Sequence, residues 1–200
     1  MDDIRVILIG GTSHTGKSTL AGRLAKRPDW THVSTDSLAR HPGRPWGATG
    51  ARPHVAKHYL ELSEGELLRS VLVHYRNVWP LIERLVETHA TDKTAPRLVL
   101  EGSGLLPENV VLLRMPGVAA IWLTGDETLF RSRIYKESIY ERQEPQQRKM
   151  IDAFVTRTEN FDRTMMDAVR TLKLPFLVVR DGGSIEDLAG ECMETMRTLA

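Results

Sequence analysis

The chain has 200 residues, 27 basic and 26 acidic side chains, a formal charge of +1 and 41% apolar residues. That length supports one substantial core in a single domain, residues 1–200, and the composition is that of a folded globular protein. The near-balance of charge gives no general electrostatic footprint for nucleic acid or an anionic membrane. The single cysteine, Cys192, rules out an intrachain disulfide and a thiolate metal cluster. No apolar run reaches the roughly 18 residues of a membrane span, and the run at Ile4–Ile9 is too short for a signal sequence. The expected setting is the cytoplasm, without nucleic acid or membrane as partner. Oligomeric state is not legible.

In chain order, Ile4–Ile9 reads as a short, buried, β-branched strand. Gly16–Lys26 follows as a helix with Leu20, Ala21, Leu24 and Ala25 on one face, stopped by Pro28. His32–Ser34 is a weak second strand, and residues 41–53, rich in proline and glycine, read as loop. Residues 54–90 carry apolar positions at helical spacing, with Pro80 expected to kink or divide the segment. Arg97–Leu100 and Val118–Leu123 are further strands. Glu127–Ser138 and Gln146–Leu172 are helices, Phe176–Val179 is a fifth strand and Ser184–Leu199 closes as a helix. Short apolar strands alternating with amphipathic helices predict an α/β fold, a three-layer α/β/α arrangement around a five-stranded parallel sheet. Such sheets bind ligands at the carboxyl ends of their strands.

The first strand runs into Gly11-Thr12-Ser13-His14-Thr15-Gly16-Lys17-Ser18, with Thr19 next. This matches G-x-x-x-x-G-K-[ST] in its required strand–turn–helix context. Glycines let backbone amides turn inward and approach a polyphosphate closely, and the helix N-terminus adds a positive end. Lys17 supplies a point charge to the β- and γ-phosphates, and Ser18 offers a hydroxyl to Mg²⁺. His14 is expected to face solvent.

On these residues the chain resembles the P-loop NTPases and, within them, the small-molecule kinases: nucleoside monophosphate, shikimate and gluconate kinases, chloramphenicol phosphotransferase and 2-phosphoglycerate kinase. The resemblance implies a P-loop kinase fold with a helical lid over about residues 131–150 and an acceptor-binding region over about 40–75. It implies ATP and Mg²⁺ as cofactors and a small-molecule phosphate acceptor as partner.

The segment "HVSTDSLAR" places Asp36 one helix and one strand beyond Lys17. It looks like "VDSL" of the chloramphenicol enzyme and "STD" of 2-phosphoglycerate kinases. The resemblance gives Asp36 the role of orienting the acceptor and taking its proton, with Arg40 beside it in substrate binding. Asp36 and Arg40 stand four apart rather than three as in adenylate kinases, which points away from a nucleotide acceptor. Ser34, Thr35 and Asp36 are equally good helix caps.

"RLVLEGSGLLP" ends a strand on Glu101, where P-loop proteins keep an acid that holds Mg²⁺, and the segment resembles the "EG" of uridine kinases. Glu101 is assigned to metal or acceptor. The segment with Arg131, Arg133, Lys136, Arg142, Arg148 and Lys149 resembles a lid, with Arg133 and Arg142 favoured for stabilising the phosphoryl in flight; a helix laced with Glu–Arg pairs is the other reading of it. In "VVRDGGSIEDL", residues 181–183 would pass under an adenine by resemblance, while Ser184 reads as a helix N-cap with Asp187 three places on. His41, His54 and His58 with Arg44 and Arg52 surround the proline-rich loop, as an anion site or as plain polar surface. The spacing of His54 and His58 lacks the glutamate of a metalloprotease motif, so no zinc site is read there.

The expected activity is transfer of the γ-phosphoryl of ATP to a hydroxyl or phosphate of a small, anionic metabolite. An ATPase acting as a conformational switch and a nucleotide-binding module without turnover are the alternatives. A GTPase is disfavoured, because no N-K-x-D segment is present.

Overall fold

The computed structural model describes residues 3–39, 41–47 and 51–199. Five strands, β1 (Val6–Gly11), β2 (Trp30–Ser34), β3 (Arg97–Glu101), β4 (Val118–Thr124) and β5 (Phe176–Val178), form one sheet in the order β2-β3-β1-β4-β5. Every pairing is parallel, with Leu8 opposite Leu100 on one side and Ala120 on the other. The central strand β1 is buried at all six positions, as its unbroken apolar run requires.

The described residues form seven α-helices around this sheet: α1 (Lys17–Leu24), α2 (Pro53–Glu61), α3 (Glu64–Thr91), the single turn α4 (Pro107–Val110), α5 (Glu127–Ser138), α6 (Pro145–Thr171) and α7 (Ile185–Leu199). Successive strand residues point to opposite faces, and the cores follow that alternation. Val6, Leu8, Leu98 and Leu100 face α3, α4 and α6, meeting Val78, Ile82, Val86, Val110 and Met165. Ile7, Ile9, Val99 and Ile121 face α1 and α7, meeting Leu20, Leu24, Cys192 and Met196. Each such side chain, fully buried, contributes about 1.5–3 kcal/mol. A third cluster lies above the strand ends, where Val55, Tyr59 and Leu67 meet Phe130, Ile134, Ile151 and Phe154. It joins α2 and the start of α3 to α5 and α6. Among the described residues no helix is long and apolar enough to cross a membrane.

The predicted three-layer arrangement is the observed one, with a difference in the segment after the proline-rich loop. The helix α3 is continuous over 28 residues, and Pro80 does not divide it. The division falls earlier, between Glu61 and Glu64, where Glu66 accepts from both the Ser63 amide and the Ser63 hydroxyl, at 2.9 and 2.6 Å. Such a reciprocal cap fixes a helix start. Proline removes one amide donor, but Pro80 is solvent-exposed, while Val78, Ile82 and Val86 anchor the other face. Core packing on that face outweighs the lost hydrogen bond.

Two contacts set the carboxyl edge of the sheet. Gly102, directly after β3, has φ 153°, and a Cβ there would fall 1.7 Å from Thr35 Oγ1 and 2.8 Å from Thr35 Cβ. Only glycine lets the chain leaving β2 come so close to the chain leaving β3. At the end of β4, Thr124 Oγ1 donates to Asp162 Oδ2 on α6 at 2.8 Å, while Asp162 Oδ1 is buried without a partner. Burial, against the weaker opposing effects of Thr124, Arg170 and Lys17, raises the Asp162 carboxyl to about 6.

Gly102→Ala is therefore expected to cost about 3 kcal/mol of stability in urea unfolding, because neither backbone nor Thr35 can yield freely; a loss within experimental error would contradict the contact. For Asp162 the folded pKa lies above the unfolded one, so its contribution is complete below the unfolded value of about 4 and is lost as pH rises through about 6. Asp162→Asn keeps an acceptor for Thr124 and removes the charge. It should exceed the wild type in stability by about 1–3 kcal/mol at pH 7.5, with the gap closing toward pH 4. A gap that does not vary with pH would contradict the assignment.

Candidate active site

The loop between β1 and α1 turns on two residues in the left-handed region, His14 (φ 66°) and Gly16 (φ 88°). Gly16 caps α1 without a side-chain hydrogen bond, and no acid stands in the first turn. The positive end of α1 is thus left facing the cleft above the loop. The loop is braced from below: Thr15 Oγ1 donates to Thr12 O at 3.0 Å, and Thr12 Oγ1 to Thr158 O of α6 at 3.2 Å. Lys17 is 7% exposed, and its ammonium folds onto Thr12 O at 2.5 Å. Burial lowers its pKa, while Glu101 and then Asp36 hold it up.

The cleft has a volume of about 460 Å³ and brings together residues from three strand ends, those of β1, β2 and β3, and the helix α5. Gly16, Lys17, Ser18 and Thr19 line it beside Asp36, Glu101 and Ser103. Ser18 Oγ donates to Glu101 Oε1 at 3.0 Å. A hydroxyl and a carboxylate converge there, and Glu101 is 3% exposed. Ser103 Oγ ties the strand-end loop to Gly11 O at 2.9 Å. Among the three capping candidates, Ser34 is the one that caps: its hydroxyl accepts from the Asp36 amide at 3.3 Å. The Asp36 carboxylate is thereby left exposed in the cleft.

Of the basic lid residues, Arg133 and Lys136 reach this cleft. Arg133 Nη1 donates to His14 O at 2.9 Å and lies 4.0 Å from Asp181. Arg131 turns away to Glu159 at 3.2 Å, and Arg148 binds the carbonyls of Gln143 and Glu141 beside the Tyr140 ring. Arg142 sits exposed in a single 3-10 turn (Tyr140–Arg142) and lines neither this cleft nor the one described next. Arg52 is exposed outside both, and Arg40 lies outside the described residues.

A second cleft, of about 580 Å³, opens beyond Arg133 between the loop after β5 and α7, with Val179, Arg180, Gly183 and Leu188 on its walls. Ser184 accepts from the amides of Glu186 and Asp187 at 3.1 and 3.4 Å, so the N-cap read from the sequence is formed at the edge of this cleft.

His14 is not solvent-facing. Its side chain is 5% exposed, donates from Nε2 to Glu137 Oε2 at 2.9 Å, and packs 6.0 Å from the Trp46 and Phe154 rings. Burial and then Arg44 lower its pKa to about 4, against the pull of Glu137. The imidazole ties the loop to α5, which explains a bulky residue where small ones suffice. Glu137 also pairs with Arg44, bringing the proline-rich loop onto α5. Local sequence pattern gives no sign of this role for Glu137, because its partners lie 123 and 93 residues away.

No protein-family model and no curated relative matches the sequence. Solved structures do resemble it. A gluconokinase from Sinorhizobium meliloti 1021 aligns over 98% of this chain and 93% of its own, with a TM-score of 0.55 and 18% identity. A deoxyadenosine kinase from M. mycoides with bound dATP aligns over 96% and 99%, with a TM-score of 0.52 and 14% identity. A shikimate kinase from Acinetobacter baumannii in complex with shikimate aligns over 98% and 94%, with a TM-score of 0.50 and 15% identity. Across nearly its whole length, then, the chain has the fold of small-molecule P-loop kinases.

Proposed function

We propose that the protein is a phosphotransferase that moves the γ-phosphoryl group of ATP to a hydroxyl of a small-molecule acceptor. The observation that carries this reading is one cleft holding the loop lysine Lys17, the Ser18–Glu101 pair and an uncapped Asp36. A switch ATPase needs the first two; an exposed carboxylate aimed at an acceptor position is what transfer adds.

In this reading the loop amides, Lys17 and the α1 N-terminus hold the phosphate chain. The adenine side of the nucleotide lies toward the second cleft, with Arg133 between base and phosphates. Ser18 and Glu101 are hard oxygen donors and fit Mg²⁺, which binds through few protein ligands and completes its shell with phosphate and water. When bound, the ion would neutralise charge on the β- and γ-oxygens. Asp36 accepts the proton of the acceptor hydroxyl as its oxygen bonds to the γ-phosphorus. The bond from that phosphorus to the β–γ bridging oxygen breaks, and ADP leaves with the electron pair. Arg133 and Lys136 supply positive charge to the transferring group, and closure of about residues 131–150 excludes water that would otherwise be the acceptor. Arg142 joins them only if that closure carries it inward. Arg44, and Arg40 by resemblance, belong to the acceptor side with about residues 40–75.

Lys17→Met should abolish ATP-dependent turnover and weaken ATP binding measured by calorimetry. Asp36→Asn should lower transfer about 10²–10⁴-fold, the range of general-base catalysis, with ATP affinity unchanged. ADP release in the wild type should depend on an added acceptor drawn from a panel of hydroxylated metabolites. Acceptor-independent release that survives Asp36→Asn would instead favour the switch.

A further inference from the structure

Beside Asp36, a group of polar side chains is buried without the partners that burial calls for. Arg157, on α6, is 7% exposed. Its guanidinium lies over the Phe154 ring at 4.5 Å and the Tyr59 ring at 5.5 Å, and Nη1 donates to the Tyr59 hydroxyl at 2.7 Å. Tyr59 passes its own proton to Gly43 O at 2.6 Å, which fixes the proline-rich loop over α6. Among the described residues no carboxylate pairs with Arg157. A buried cation without a counter-ion is costly, and among the described residues the guanidinium donates to one group, the Tyr59 hydroxyl.

Three imidazoles complete the group. His41 meets His58 at 5.3 Å and His74 at 5.1 Å between ring centroids. The Nε2 atoms of His41 and His58 are buried and unpartnered. Burial, followed by Arg157, pushes His41 down to about 3 and lowers His58; burial lowers His74 as well, against Asp36. The rings are therefore neutral near pH 7, each with one N–H to give. Tyr75 connects this group to the cleft: its ring meets His74 at 5.5 Å, and a Cβ on Gly104, next to the cleft residue Ser103, would fall 3.5 Å from its Cδ1.

Resting on the kinase reading, we propose that this group is the acceptor's anchor and that the acceptor is a small hydroxy monocarboxylate. Its carboxylate seats on Arg157 with N–H donors from His41 and His58, and its hydroxyl turns toward Asp36. The charge count selects the anion. Within this buried group the one guanidinium offers a single positive charge, Arg44 being paired with Glu137, and that charge matches a carboxylate better than a doubly charged phosphate. The planar guanidinium also suits a two-oxygen acceptor. Specificity follows from what is left unpaired: a neutral analogue would bury Arg157 against no charge.

The test is calorimetric titration of the wild-type protein, loaded with Mg²⁺ and a non-hydrolysable ATP analogue. The probes are glycerate and threonate, their primary amides, and glycerol 3-phosphate. At least one acid should bind about 100-fold tighter than its amide, the loss expected when a buried charge loses its partner, and tighter than the phosphate ester. In Arg157→Gln the preference of acid over amide should fall to about threefold or less. Equal affinity for acid and amide, tighter binding of the phosphate ester, or no binding by either acid would overturn the proposal without any variant being made. ADP release with ATP separates the two readings. An acid that binds with the stated preference but releases no ADP counts against the kinase and leaves the anion site standing. Efficient transfer to neutral sugars or nucleosides with no preference for acids does the reverse.

Discussion

The approach of Thr35 to Gly102 is the constraint on which the candidate site depends. Two strand ends that carry acids, Asp36 after β2 and Glu101 at the end of β3, can share one cleft only if the chains leaving them are in contact. Any side chain at residue 102 would separate them. With that contact made, Glu101 stands where Ser18 of the neighbouring loop can reach it, and Asp36 is left facing the same space. The β3–β1 pairing then sets the depth, because Ile9 opposite Glu101 puts the acid level with the start of the loop. Sheet register, and no feature of the loop alone, aligns the chemistry.

Electrostatics distinguishes the two sides of the cleft. On the phosphate side a buried Lys17 is stabilised by the charges of Glu101 and Asp36, so its cost of burial is partly offset. On α6, by contrast, Arg157 is held by aromatic faces and one phenol, and among the described residues no carboxylate pairs with it. Aromatic rings give a cation modest attraction and shape; they do not replace a counter-ion. The fold thus tolerates one under-compensated cation in a region tied together by the Arg157–Tyr59–Gly43 chain of hydrogen bonds. Functional sites are where such local inconsistency is found.

Much of this architecture is legible in the sequence, and the reason differs by element. The strands read correctly because parallel strands buried on both faces are written as continuous apolar runs, as in Val6–Gly11 and Val118–Thr124. The loop between β1 and α1 stands out in the sequence because a phosphate-binding turn demands fixed residues at fixed spacing. The start of α3 was legible in principle, in Ser63 and Glu66, but Pro80 drew the break to itself. Where partners are far apart in the chain, local pattern carries no signal. His14 meets Glu137 across 123 residues and Arg157 meets Tyr59 across 98. Arg157 sits in a long amphipathic helix whose period places it on the buried face, among Phe154, Thr158 and Phe161. A charged residue in that phase was the one available hint.

Glu137 has a consequence for how a polyanion enters. Before any ligand arrives, its carboxylate already stands at the mouth of the cleft, tied to His14 and Arg44. On the proposed kinase reading, an incoming triphosphate would trade places with a resident anion and would not meet bare cations. Fewer small ions are shed in such an exchange than the tally of lysines and arginines suggests, so the ionic-strength dependence of association should be shallow.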